Sequence, residues 1–318
     1  MSFPTLVMLI GLPASGKSTL ANQYKVLNYN IYSSDAIREE LGGSETNQNI
    51  NQLVFTTLHK RIKADLAAGI SCVYDATNIS YKRRMAFLRD LNVICFKKAI
   101  VVATPYEVCL LQNQKRERKV PEFVIERMYR NFDMPYYYEG WHEIAIHYNM
   151  PEYRWLYNTP QRFIEDVYDF DQQNKYHSET LGRHCELAAD YVTTYVQAKQ
   201  IMGSRASVLL DAALLHDNGK PFCQTFMDMK GALCESAHYY DHEHVGSYNS
   251  LFYDTVLTDR LYLAVLIRWH MQMHFIDKQP HTQEKYKKLF GPSLWRDLII
   301  LHKGDKEAHN SESSKESA

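Results

Sequence analysis

The stretch Gly11-Leu12-Pro13-Ala14-Ser15-Gly16-Lys17-Ser18 fits G-x-x-x-x-G-K-[ST], a pattern tied to one local structure. The apolar run Leu6 to Ile10 reads as a buried strand, and the residues from Lys17 onward read as a helix. Glycines between them let backbone N–H groups turn toward an anion, and the helix N-terminus adds positive potential. Lys17 is placed to reach the β- and γ-phosphates of a nucleoside triphosphate, and the Ser18 hydroxyl to ligate Mg²⁺. Gly11, Ser15, Gly16, Lys17, Ser18 and Thr19 are therefore expected to bind ATP, or another NTP, with Mg²⁺.

The rest of the first half alternates strand-like and helix-like segments. Asn30–Tyr32, Ile70–Tyr74, Val93–Ala103 and Glu143–Tyr148 read as strands, with helix-length segments such as Gln52–Ala68, Tyr81–Asp90 and Glu122–Asn131 among them. That alternation predicts an α/β domain built on a parallel sheet. Asp35 opens a helix at a strand end, where a carboxylate can take the proton of an attacking hydroxyl. Arg38, one turn on, can hold an acceptor phosphate. Alternatively, Ser34 or Asp35 merely caps the helix. Asp75, in Asp75-Ala76-Thr77-Asn78, is expected at another strand end beside Mg²⁺. The basic run Gln112–Lys119 is either a solvated helix face or a lid that sets Arg116 or Arg118 on the transferring phosphates.

The chain has 318 residues, roughly two domains' worth. Thirty-six Lys and Arg against 37 Asp and Glu leave a formal charge of −1, so no global basic field marks a nucleic-acid partner. With 45% hydrophobic residues the chain can bury full cores, and no apolar run is long enough to span a bilayer. The start lacks the basic region of a secretory leader. Six cysteines without a C-x-x-C pair suggest reduced thiols in the cytoplasm.

From about Tyr176 the pattern is helical throughout: Leu181–Val196, Ala206–Leu215, Ala237–Leu251, Asp259–His270 and Leu294–His302. The second half is expected to be all-α. His216 and Asp217 adjoin near a helix end, where neighbouring side chains can share a cation that lies beyond the axis. His184, His216, Asp217 and Asp305 suffice for one metal. His242 and His270 make room for a second, with Asp217 bridging. Imidazole and carboxylate together suit Mn, Fe, Co, Ni or Zn, and two such ions can share a hydroxide and clamp a phosphoester. Fourteen histidines counsel economy. His238 is an alternative to His242, and His244, His274, His281 and His302 read as surface, cap or supporting residues.

The set Gly11–Ser18, Ser34-Asp35-x-x-Arg38, Asp75-Ala76-Thr77-Asn78 and the Arg-rich lid before Val120-Pro121-x-x-Val124-Ile125-x-x-Met128 resembles the 5′-hydroxyl polynucleotide kinases of phage and bacterial RNA repair. The resemblance covers about residues 4–150. It implies that Asp35 is the general base, that Arg38 holds the acceptor's 3′-phosphate, and that Arg116 or Arg118 contacts the donor phosphates. Leu181-Gly182-x-His184, His216-Asp217-x-Gly219-Lys220-Pro221 and His242-Glu243-x-Val245-Gly246, with Asn174-x-Tyr176-His177 upstream, resemble the HD phosphohydrolase superfamily. That likeness implies a substrate-phosphate role for Lys220. Asn218 stands where the superfamily usually has an aliphatic residue, with little consequence expected.

The expected plan is a P-loop kinase-like domain over 1–150, an aromatic-rich connection over 151–173, an HD-like domain over 174–305 and a polar tail over 306–318. The two resemblances together imply nucleic-acid end healing: 5′-hydroxyl ends phosphorylated, 2′,3′-cyclic or 2′/3′ phosphates removed, RNA the expected substrate, and an RNA ligase acting downstream. A metabolite or nucleoside kinase fused to a nucleotide phosphohydrolase is the alternative, and a nucleotide-gated sensor or binding module a second.

Overall fold

A computed structural model describes residues 3–310 apart from 43, 45–47, 175–177 and 256. Tyr176 and His177 of the expected upstream motif, and 311–318 of the expected tail, lie outside the described residues. The chain divides into two compact units. The first is Met1–Tyr129 with Pro135–Tyr153, and the second is Arg130–Met134 with Arg154–Ala318.

In the first unit the strands are β1 (Thr5–Ile10), β2 (Asn30–Ser33), β3 (Cys72–Asp75), β4 (Phe96–Ala103) and β5 (Glu143–Tyr148). They form one sheet in the order β2-β3-β1-β4-β5, with every pairing parallel. The helices α1 (Lys17–Gln23), α2 (Ser34–Gly42), α3 (Asn51–Ala67), α4 (Tyr81–Asp90), α5 (Tyr106–Gln114) and α6 (Glu122–Arg130) connect the strands. Parallel strands need such crossovers, which cover both faces of the sheet, so β1 carries an unbroken apolar run and not an alternating one. Leu6 to Ile10 are all buried, and truncating one of the leucines to alanine would cost about 2–5 kcal/mol.

Because all five strands point the same way, their carboxyl ends share one edge. That edge gathers the Gly11 loop after β1, Asp35 after β2, Asp75 at the end of β3, Thr104 after β4 and Asn149 after β5. Gly11 N donates to Thr77 O at 3.0 Å, and Asn78 Nδ2 to Leu9 O at 2.9 Å, so the Asp75–Asn78 turn is stitched to the root of the phosphate loop. The buried Arg84 fastens the same turn. It donates to Asn78 O at 2.9 Å and grips Glu139 through two bonds of 2.7 and 2.8 Å.

The second unit comprises α7 (Pro160–Asp166), α8 (Leu181–Ala198), α9 (Ser204–Leu215), the short α10 (Lys220–Cys223), the strands β6 (Thr225–Met227) and β7 (Leu233–His238), α11 (His242–Asn249), α12 (Arg260–Lys278) and α13 (Gln283–Asn310). Side chains set several of the helix starts. Thr159 caps α7 ahead of Pro160, Thr180 caps α8, and Asp259 accepts from Tyr262 N at 3.0 Å to open α12. The helix α8 packs on α9 and α13, and α12 on α9, α11 and α13.

Four expectations for this half need correction. It is helical but not all-α. Asp228 accepts from the amides of Lys230 and Ala232, and Gly231 takes a φ of 85°, so the segment turns and pairs β6 with β7 antiparallel. The segment Ala237–Leu251 is accordingly no single helix: β7 runs to His238, and α11 starts only at His242. At the other end α13 continues through Asn310 rather than giving way to a tail at Lys306, and its interruption lies earlier, at Gly291-Pro292. The expected connection 151–173 contains the helix α7.

Candidate active sites

The carboxyl edge of the parallel sheet opens into a cleft of about 800 Å³. Ser15 through Thr19, Asp35, Arg38, Asp75, Arg116 and Arg118 all line it, so the structure brings the sequence-predicted residues together. Gly16 has a φ of 91°, and a Cβ there would run into the Asn149 side chain. Only glycine meets both demands. The Asn149 amide donates to Ser15 O and to Thr104 Oγ1, and Thr104 Oγ1 donates to Ser15 O at 2.9 Å. The loop is thus braced from β4 and β5.

Lys17 is buried, with Nζ donating to Leu12 O at 2.6 Å. Burial lowers its pKa, and the Asp75 carboxylate partly opposes that. Burial likewise raises the pKa of Asp75, against the pull of Lys17 and a hydrogen bond from Ser18. Two half-compensated charges and a hydroxyl at the mouth of an N–H cradle suit a polyphosphate and its cation. Ser18 and Asp75 would hold the Mg²⁺.

Asp35 does not act as a cap. Its carboxylate faces Arg38 Nη1 at 2.6 Å and Arg118 Nη1 at 3.2 Å, while the hydroxyl nearest the Ala36 amide is that of Ser33, at 3.5 Å. Arg38 is buried and also donates to Asn51 Oδ1 at 2.9 Å. The charged part of the basic run, Lys115 to Lys119, is a loop, since α5 ends at Gln114. Asn113 closes it by bonding Val120 through both its Oδ1 and Nδ2, at 2.9 and 2.8 Å. Of the two lid arginines, Arg118 meets Asp35, and the charge of Arg116 is felt by Lys17. Sequence reasoning missed Arg83 and Arg127, which also line the cleft. Neither belongs to a recognisable motif.

In the second unit α9 ends at Leu215, which leaves His216 as its C-cap and Asp217 just beyond. The six expected ligands converge. Asp217 Oδ2 lies 3.4 Å from His184 Nε2 and 3.3 Å from His216 Nε2, while its Oδ1 lies 3.2 Å from His242 Nε2 and 3.7 Å from His270 Nε2. Asp305 Oδ1 is 3.2 Å from His184 Nε2. Two clusters result, His184–His216–Asp305 and Asp217–His242–His270, each with its ligand atoms within 4.8 Å of one another. The carboxylate of Asp217 faces both.

The imidazoles are oriented from behind. Nδ1 of His216, His242 and His270 meets the carbonyls of Ala213, Tyr239 and Ile267 at 2.9, 2.7 and 2.6 Å. A carbonyl only accepts, so each Nδ1 donates and each Nε2 is the nitrogen turned toward the cluster. Burial alone would disfavour charge on His216, but the Asp217 carboxylate overrides it and raises the pKa, whereas burial lowers that of His184. Asp217 and Asp305 are held well below the carboxylate range despite burial, Asp217 chiefly by Lys220 and His216, Asp305 chiefly by His184 and its other histidine neighbours. Anionic oxygens among inward-facing imidazole nitrogens make a donor set that fits divalent transition metals.

Lys220 Nζ contacts Asp217 Oδ2 and Gln172 Oε1, each at 2.7 Å. Gly219 lies against α11 so closely that a Cβ would collide with the His242 carbonyl oxygen. Asn218 is more consequential than expected: its buried amide donates to Leu215 O at 2.7 Å and Gly246 O at 3.1 Å, tying the His-Asp turn to α11. His238 stacks on Tyr240 and is not among the clustered ligands. His244 meets Phe132 O at 3.1 Å. Of the roles expected for His274 and His302, the supporting one fits the geometry: the partly exposed His274 bonds Asp305, and His302 is buried.

Residues 6–135 match the family model described as an AAA domain. With the phosphate loop and parallel sheet above, this decides the class of the first unit. It has a P-loop kinase fold. The L-seryl-tRNA(Sec) kinase of Methanococcus maripaludis is 28% identical over 141 residues, which are 41% of this chain and 53% of that protein. The chain thus spans about half the length of the curated relative it matches. Among solved structures, a chain of the Pnkp1/Rnl/Hen1 RNA repair complex is 23% identical, with a TM-score of 0.37 over 40% of this chain and 43% of that one. A gluconokinase from Sinorhizobium meliloti 1021 is 15% identical, with a TM-score of 0.35 over 48% and 86%. No helix among the described residues is long and apolar enough to cross a membrane.

Proposed function

We propose that the P-loop unit transfers the γ-phosphoryl group of ATP to the 5′-hydroxyl of a polynucleotide, and that the helical unit is an HD-type phosphohydrolase that removes 2′,3′-cyclic or terminal 2′/3′ phosphates. RNA is the substrate class, and a ligase would consume the healed ends. The observation that carries the kinase half is the charge of the cleft: seven cationic side chains line it against two carboxylates, Asp35 and Asp75. That excess goes beyond the needs of one Mg²⁺-bound triphosphate and suits an acceptor that brings phosphates of its own. A relative named as a tRNA-directed kinase is in keeping with it.

In this reading Asp35 takes the proton of the hydroxyl as its oxygen attacks the γ-phosphorus and ADP leaves. Lys17 and Arg116 neutralise the donor oxygens. Arg38 and Arg118 orient Asp35 and hold the acceptor. In the helical unit His184, His216, Asp305, Asp217, His242 and His270 would hold two divalent ions, which when bound supply an activated water and charge neutralisation. The protein's own part is to orient the imidazoles through backbone carbonyls and to bring Lys220 to the phosphoryl oxygens.

One oligoribonucleotide with a 5′-hydroxyl and a 2′,3′-cyclic phosphate tests both halves when its products are resolved after incubation with ATP and Mn²⁺. The expected products carry a 5′-phosphate and free 2′- and 3′-hydroxyls. Faster phosphorylation of a mononucleoside or sugar than of the oligonucleotide would overturn the acceptor assignment. Loss of the terminal phosphate undiminished by chelators would overturn the metal-dependent half.

A further inference from the structure

Beside the six clustered residues lies a further set that shares only Asp305 with them. Along α13, His302, Asp305 and His309 fall three and four residues apart on one face. On the facing α12, His274 stands one turn past His270. His274, His302 and Asp305 each bring one ligand atom within 4.8 Å of the other two. Asp305 divides its oxygens between the two sets, Oδ1 being 3.2 Å from His184 Nε2 and Oδ2 2.6 Å from His274 Nε2.

His302 supplies an independent indication. It is 7% exposed, and its Nε2 meets Asp277 Oδ2 at 2.9 Å. Its Nδ1 is buried and has no hydrogen-bond partner among the described residues. Leaving such a nitrogen unpaired costs about 1–3 kcal/mol. An imidazole with a carboxylate on one nitrogen and nothing on the other is arranged as a metal ligand with its outer carboxylate. Were His302 only a prop, the second nitrogen would need a polar neighbour or an apolar replacement.

We propose that His274, His302 and Asp305 form a third divalent-cation site beside the inner pair, with Asp305 shared between them as Asp217 is shared within the pair. Two imidazoles and one carboxylate favour Zn²⁺ or Mn²⁺ over Mg²⁺ or Ca²⁺. The partly exposed His274 leaves that side open to water or a phosphate oxygen. The inference rests on the two-ion reading of the inner clusters, and its test separates the two.

The full chain is loaded with excess Zn²⁺, desalted, and its zinc counted against protein by plasma mass spectrometry. Wild type is expected to hold three ions, and His302→Ala and His274→Gln two each. The two variants are read independently, with circular dichroism melting as the check that each folds. Asp217→Ala should retain the outer ion, so the double variant Asp217→Ala/His302→Ala should hold one ion fewer than Asp217→Ala. Two ions in wild type and still two in both outer variants would overturn the third site and leave the inner pair standing. One ion that survives Asp217→Ala and disappears with His302→Ala would support the outer site and overturn the inner pair. One ion lost with Asp217→Ala and indifferent to His302→Ala would overturn both.

Discussion

Lys220 Nζ lies 2.7 Å from Asp217 Oδ2, with both side chains buried, so the ammonium holds an oxygen that faces His184 and His216. In the proposed function Lys220 would turn from that oxygen toward a phosphoryl oxygen once the ions are bound. On that proposal Lys220→Met is expected to lower the kcat for phosphate removal about 10²–10³-fold, the usual cost of one donor to a developing oxyanion. The metal count should hold, because a competitor for Asp217 has gone. Single-turnover hydrolysis of a cyclic-phosphate oligonucleotide, with zinc counted on the same sample, checks both.

Asp35 sits between Arg38 and Arg118, and the proposed function makes it the base that takes the acceptor's proton. Asp35→Asn keeps the shape and loses the proton acceptor. The expected result is a fall in kinase kcat of about 10²–10⁴-fold with the KM for ATP little changed. A comparable rise in the ATP KM would move Asp35 from the reaction to nucleotide binding.

The Arg84–Glu139 pair is fully buried and bidentate, and Trp141 Nε1 donates to the same carboxylate at 3.1 Å. Glu139→Ala strands the guanidinium, at a cost of about 3–5 kcal/mol. Pairing it with Arg84→Met should recover part of that loss. Urea unfolding of the single and double variants measures the difference. Since Arg84 also holds the Asn78 carbonyl, ATP affinity should fall with Glu139→Ala.

His59 packs tilted against Phe87 at 4.5 Å between ring centroids and bonds Tyr74 Oη at 3.0 Å. Burial, aided by the charge of Lys63, pushes its pKa from 6.5 down to about 4. Between those values the unfolded chain binds the proton and the folded one does not, so stability rises with pH across that window. The contribution is complete above about pH 6.5 and is lost as pH falls toward about 4. Urea midpoints near neutrality and near pH 5 should fall further for wild type than for His59→Phe; parallel decreases would remove His59 as the cause.

The sequence made the phosphate loop and the His216-Asp217 pair legible because each sits in a dense local pattern, and that pair directed attention to the four other residues that the structure clusters with it. Asp35 and Asp75 were legible as strand-end carboxylates, and the sheet from its apolar runs. Asn149, Gln172 and Arg83 were not, since each contributes one side chain from far along the chain with nothing periodic about it. His274 and His302 have helical spacing, but so does any residue on an exposed stripe; only the facing of α12 and α13 distinguishes them. The β6–β7 hairpin went unread because its strands are short and its exposed residues Phe226, Met227 and Leu233 do not alternate cleanly.

The brace from Asn149 to Ser15 has a bearing on how this protein can be dissected. Similarity to the AAA family stops at residue 135, yet the amide that shapes the ATP-facing turn arrives fourteen positions afterwards, behind β5. A fragment trimmed at the edge of detectable kinship would keep every signature residue and lose the strut that sets them, and would be mistaken for an inactive enzyme.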